Sequence, residues 1–172
     1  MNFRIQASQP KNTSEFCTED KKVSEAIETV FPMMTEDALL IWNTSYIPLN
    51  YKYDISYMVE DIINMLRHIR ENSSADMTIN WPTNTFACNW VLFWKNEMLT
   101  INSRWRYESG RSYDELSEIN IDIHDFTYEW KMLLKVIIEN LELCGYSKSN
   151  LLDMNIVYQE FQLIKCYGSL YR

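Results

Sequence analysis

Apolar residues alternate most strictly between positions 86 and 107. Phe86, Cys88, Trp90, Leu92 and Trp94 interleave with Ala87, Asn89, Val91, Phe93 and Lys95. Leu99, Ile101, Ser103, Trp105 and Tyr107 interleave with Met98, Thr100, Asn102, Arg104 and Arg106. Successive strand side chains point to opposite faces, so this pattern predicts a hairpin. The turn falls on Lys95-Asn96-Glu97-Met98, where a tight two-residue connection requires positive φ at a residue that is not glycine. Both alternating sets of 86–95 are rather apolar, which predicts a central strand covered on both faces. Apolar runs at 38–42 and 77–81, and the alternation of Ile119, Ile121 and Ile123, predict further strands. From Asn43 to Tyr53 the chain reads as extended, with Pro48 confining any strand there to an edge or a bend.

Helical spacing takes over elsewhere. Ile55, Met58, Val59, Ile62, Ile63, Leu66 and Ile69 predict a helix over 54–71, capped by Asp54 and broken by Asn72-Ser73-Ser74. Phe126, Trp130, Leu133, Leu134, Ile137, Leu141 and Cys144 predict a second long helix, capped by Asp125 and ended by a left-handed Gly145. Shorter helices are predicted over 18–31, with Thr18 as cap and Pro32 as stop, and over about 150–166, with Leu152, Ile156, Phe161 and Ile164 among the apolar positions. Residues 1–18 are polar and mixed, and read as a flexible arm or an irregular lead-in. The order of elements, without repeat or linker, predicts an α+β fold: a mainly antiparallel β-sheet with helices packed on it. At 172 residues the chain is expected to form one domain, 1–172.

Charge narrows the partners. Lys and Arg number 16 against 24 Asp and Glu, a net charge of −8. Phosphate backbones repel such a chain, so nucleic acid is not an expected partner, whereas a basic protein is attracted. The longest apolar runs fall far short of a membrane span, and the first residues lack the apolar core of a signal peptide. The four cysteines, Cys17, Cys88, Cys144 and Cys166, form no CxxC pair and read as free thiols. Together these features predict a cytoplasmic protein.

Candidate chemistry is sparse. With three glycines, neither a GxGxxG nor a GxxxxGK[ST] phosphate loop is present. The two histidines, His68 and His124, have no nucleophile or metal partner placed beside them by local sequence. The carboxylate pairs Glu60-Asp61, Asp114-Glu115 and Glu118/Asp122 fall on expected solvent faces or in a polar loop rather than across a cleft. Arg104, Arg106 and Arg111 form the single basic cluster, among enough acids that ion pairing is the expected use. No cofactor, metal site or catalytic residue is expected. The most distinctive patch is 107–125, where Tyr107 and Tyr113 stand among Glu108, Asp114, Glu115, Glu118, Asp122 and Asp125. Aromatic anchors among carboxylates suit a basic protein surface, which makes Tyr107, Glu108, Tyr113, Asp114, Glu115, Glu118 and Asp122 the candidate partner-binding site.

The segments LLIWNTSYIPLNYKYDISYMVEDIINML (39–66) and FACNWVLFWKNEMLTINSRWR (86–106), in a short acidic chain without an enzyme motif, resemble small bacterial immunity proteins. The likeness is to those paired with contact-dependent growth inhibition and other polymorphic toxins. It implies a non-catalytic inhibitor that binds a cognate toxin domain in the cytoplasm and blocks its active site or an exosite. Such toxins are often basic nucleases, and the inhibitor's carboxylates then stand in for substrate phosphates. Two other classes fit the same residues: an enzyme using carboxylate chemistry, and a structural or adaptor protein that forms a homo-oligomer.

Overall fold

The computed structural model describes residues 2–82, 87–105 and 118–165. Strands β1 (Phe3–Gln6), β2 (Ala38–Trp42) and β3 (Ser45–Leu49) form one antiparallel sheet in the order β1-β2-β3. Strands β4 (Ser74–Pro82), β5 (Ala87–Lys95), β6 (Met98–Trp105) and β7 (Glu118–Asp122) form a second, ordered β4-β5-β6-β7 and antiparallel throughout. The helices are α1 (Val23–Val30), α2 (Ser56–Glu71), α3 (Ile123–Leu143) and α4 (Met154–Leu163). The class is α+β as expected, with two sheets where one was anticipated. Pro48 sits in edge strand β3, where its missing N–H breaks no central ladder.

The two sheets meet through aromatic side chains. The indoles of Trp42 on β2 and Trp90 on β5 lie 5.2 Å apart, and Trp81 on β4 meets Trp90 edge-on at the same distance. Phe3 packs against both Trp42 and Trp90, and against Phe126 of α3 at 4.9 Å. The stripes expected on α2 and α3 are all buried here. Residues from every strand and helix contribute to this one buried cluster.

Five local expectations are corrected. Residues 3–6 are not part of an arm: β1 pairs with β2, and Phe3 and Ile5 are core residues. Their alternation was too short to stand out, and pairing to β2 comes from more than 30 residues away. Helix α1 starts at Val23, not Thr18. Its first N–H donates to Asp153 Oδ1 (2.8 Å), and Glu25 accepts from the N–H of Lys21 and Lys22.

The helical path into α2 begins earlier than Asp54, with a π-helical turn at Tyr51–Ile55. Asn50 Oδ1 accepts the N–H of Lys52 and Tyr53, while buried Asp54 accepts the N–H of Asn50 in return. Helix α3 is capped by Asp122, whose Oδ1 accepts the His124 N–H at 2.7 Å, in place of Asp125. Gly145 does hold a left-handed φ of +96°.

In α4 the buried positions are Met154, Val157 and Glu160. Leu152 and Ile156, expected in its apolar stripe, are exposed at 82% and 38%.

Candidate partner-binding face

Strand β5 is covered on one side only. Cys88, Trp90, Leu92 and Trp94 point into the core, but Val91 is 40% exposed and Phe93 53%. This corrects the expectation of a strand buried on both faces. The registers define the outer surface row by row. Thr78, Val91, Asn102 and Glu118 lie side by side across β4–β7, and so do Asp76, Phe93, Thr100 and Asn120. At the 95–98 turn the row is Ser74, Lys95, Met98 and Asp122. At the opposite end Asn80, Asn89 and Arg104 stand together. The result is a polar sheet face with a short apolar strip at its centre.

Hydrogen bonds hold this face in order. Thr100 Oγ1 donates to Asn120 Oδ1 at 2.5 Å, and Asn120 Nδ2 donates to Glu118 Oε1 at 3.1 Å. This hydrogen bond restrains the exposed Glu118 carboxylate on the outer face. Asn89 Nδ2 bridges to Asn80 Oδ1 at 2.6 Å. The hairpin turn brings Glu97 to the end of the strip, with its carboxylate 3.9 Å from His124 Nε2. Both central turn residues are left-handed, Asn96 at φ 51° and Glu97 at φ 67°, as a two-residue hairpin connection demands.

Of the expected partner-binding residues, Glu118 and Asp122 lie on this outer face of β7, four positions apart. Asp122 also spends one carboxylate oxygen on the cap of α3. Tyr107, Glu108, Tyr113, Asp114 and Glu115 lie outside the described residues, as do Arg106 and Arg111. Arg104 is exposed, beside Asn89 in register, and makes no ion pair with a described residue. The acids expected to pair with it, Glu108, Asp114 and Glu115, lie outside the described residues. Val91, Phe93, Met98 and Asp76 were not anticipated as site residues. Their signal lay in the partners that the turn register assigns: Val91 faces Asn102 and Phe93 faces Thr100, a polar pairing on the solvent side.

The other candidate groups are engaged structurally. His68 packs edge-on against Trp94, 5.4 Å between ring centres, and Asn72 Nδ2 lies 3.2 Å from its Nδ1. Glu60 pairs with Lys22 at 2.8 Å. Partial burial, and then neighbouring Glu60, raises the Asp61 carboxyl above its ordinary value. The buried Glu160 carboxylate accepts from Arg70 Nη2 at 2.8 Å and from Arg67 Nε at 3.4 Å. Lys22, Glu60 and Arg67 border a groove of about 300 Å³ between α1, α2 and α4, walled by Val59, Ile63 and Ile156. Among the described residues no three His, Cys, Asp or Glu side chains converge to hold a metal ion. No described helix is long and apolar enough to cross a membrane. Comparison with protein-family models, curated proteins and solved structures returned no match for the chain.

Proposed function

We propose that this chain is an immunity-type protein that binds a cognate, basic toxin domain in the cytoplasm and blocks its active site or an exosite. The observation that carries the reading is the outer face of the β4–β7 sheet: exposed Phe93 and Val91 stand among Asp76, Glu97, Glu118 and Asp122 on a chain of net charge −8. An exposed aromatic ring within a polar rim has the make-up of an interface hot spot. The excess negative charge speeds encounter with a basic surface and disfavours acidic competitors. Resemblance to immunity proteins of the contact-dependent growth inhibition type supports the same reading, as do the carboxylates and two tyrosines that 107–117 carries in sequence.

The test is affinity capture from the native host at low and high salt, followed by production of the captured partner in a bacterial reporter strain with and without this chain. A basic partner whose capture weakens with salt, and whose toxicity this chain suppresses, supports the proposal. A captured partner that is acidic, or that remains toxic in the presence of this chain, contradicts it.

A further inference from the structure

The β4–β7 face has a shape and a charge layout that select among basic partners. Adjacent strands lie about 4.8 Å apart, so Asp76 on β4 and Glu118 on β7 border a strip about 14 Å wide. An α-helix with its side chains is about 10–12 Å across. Val91 and Phe93 sit two residues apart on β5, about 7 Å along the strand. One turn of a helix presents apolar side chains about 6 Å apart, at positions i and i+4. The strip therefore matches the apolar stripe of one helix.

The charges fit the same occupant. Acidic groups flank the strip on both long sides: Asp76 on one, and on the other Glu118, fixed by its hydrogen bonds to Asn120 and through it to Thr100. Among the described residues of the face, the cations are Lys95 and Arg104, which stand at its opposite ends, at the turn and at the far end of the hairpin. A helix lying along β5 and β6 thus meets carboxylates on its flanks and, from the described residues, positive charge only near its ends. A second copy of this chain fits poorly, since each carries −8 and its face would set carboxylates against carboxylates. None of α1–α4 covers Val91 or Phe93.

From these relationships we infer that the face is the seat of one basic amphipathic helix presented by the partner. The helix lays its apolar stripe on Val91 and Phe93 and its Lys or Arg side chains toward Asp76 and Glu118. This deepens the toxin-capture reading and rests on it for the identity of the protein that bears the helix.

The experiment uses the full chain, isotopically labelled. The probe is a synthetic leucine–lysine peptide of about 18 residues with one apolar stripe flanked by lysines, and the control is a scrambled peptide of equal composition. The expected result is saturable one-to-one binding of the helical peptide, with amide shifts centred on 91–93 and 100–102. Phe93→Ser weakens binding by about tenfold or more, and Val91→Ser, a second exposed site, weakens it as well. Asp76→Asn with Glu118→Gln weakens it by about three- to tenfold at low salt, and the difference shrinks as salt rises. Tyr46→Ser, on the outer face of the other sheet, leaves binding unchanged. Circular dichroism verifies that each variant is folded.

Equal binding of the scrambled peptide, indifference to both Phe93→Ser and Val91→Ser, or a Phe93-dependent dimer in sedimentation overturns the inference; the dimer would assign the face to a second copy. If Phe93→Ser and Val91→Ser both leave peptide binding unchanged while the wild-type chain still suppresses a captured toxin, the docking mode falls and the toxin-capture reading stands. If the peptide binds through Phe93 but no toxin is suppressed, the toxin-capture reading falls instead.

Discussion

The backbone N–H of Ile5 donates to the Glu129 carboxylate of α3 at 2.8 Å. One hydrogen bond thereby ties the outer edge of the first strand to the longest helix, across 124 residues of sequence. The neighbouring Phe3 ring sits among Trp42, Trp90, Phe126 and Trp130, so the chain's first strand is a core element. Phe3→Ala is expected to lower unfolding free energy by about 3–5 kcal/mol, the usual cost of a large aromatic cavity. Glu129→Leu leaves the Ile5 N–H without this acceptor, at a cost of about 1–3 kcal/mol. Equilibrium urea unfolding checks both. Unchanged midpoints, or an unchanged midpoint on removing residues 1–7, would return this segment to the status of an arm.

Glu160 makes an asymmetric prediction. Its carboxylate is buried, whereas Arg67 and Arg70, which share it, are about one-third exposed at 37% and 35%. Removing the buried charge lets both guanidiniums turn to water, so Glu160→Met should be close to neutral. Removing both cations strands a buried anion, so Arg67→Met with Arg70→Met should destabilise by about 3–5 kcal/mol. Thermal unfolding of the two variants decides the matter, and the reverse order would refute this account of the pair.

The hairpin turn holds a residue that its backbone does not favour. Glu97 has φ 67°, a conformation that glycine adopts without steric penalty. Glu97→Gly should therefore stabilise the fold by about 0.5–1 kcal/mol, read as a raised urea midpoint with an unchanged slope. A lowered midpoint would mean that the contact between Glu97 and His124 outweighs the backbone term.

Alkaline pH should weaken the fold. Burial pushes the Cys88 thiol up to about 12 from an ordinary 9.0. Burial, and then the hydrogen bond to a carboxylate, pushes the Tyr146 and Tyr158 phenols up to about 12 from 10.0, and burial raises Tyr51 as well. In the unfolded chain these groups lose protons first, so above about pH 9 the unfolded state binds fewer protons than the folded state. Stability from this source is complete below pH 9 and declines as pH rises toward 12. Urea midpoints should be level between about pH 7 and 8.5 and fall steadily above that, with Cys88 resisting alkylation until the chain unfolds. A midpoint that rises with alkalinity would contradict the assignment.

The sequence announced what local spacing controls. The stripes of α2 and α3, the hairpin register about Asn96-Glu97, the left-handed Gly145 and the edge position of Pro48 all follow from neighbours within a few residues. It concealed what long-range pairing controls. The strand nature of Phe3–Gln6 depends on β2, and the start of α1 depends on Asp153, 130 positions away. The candidate site shows the same division. Glu118 and Asp122 were legible as carboxylates on one strand face. The exposure of Val91 and Phe93 was not, because an apolar residue looks the same whether a sheet face is covered or bare. Only Asn102 and Thr100 opposite them carried that information.

Toxin capture through the β4–β7 face is tested by growth of a bacterial strain producing the toxic domain of the captured partner, with this chain supplied in three forms. Rescue is expected from the wild-type chain and from Tyr46→Ser, and loss of rescue from Phe93→Ser at equal folded abundance. Failure of the wild-type chain to rescue growth would contradict the immunity reading itself.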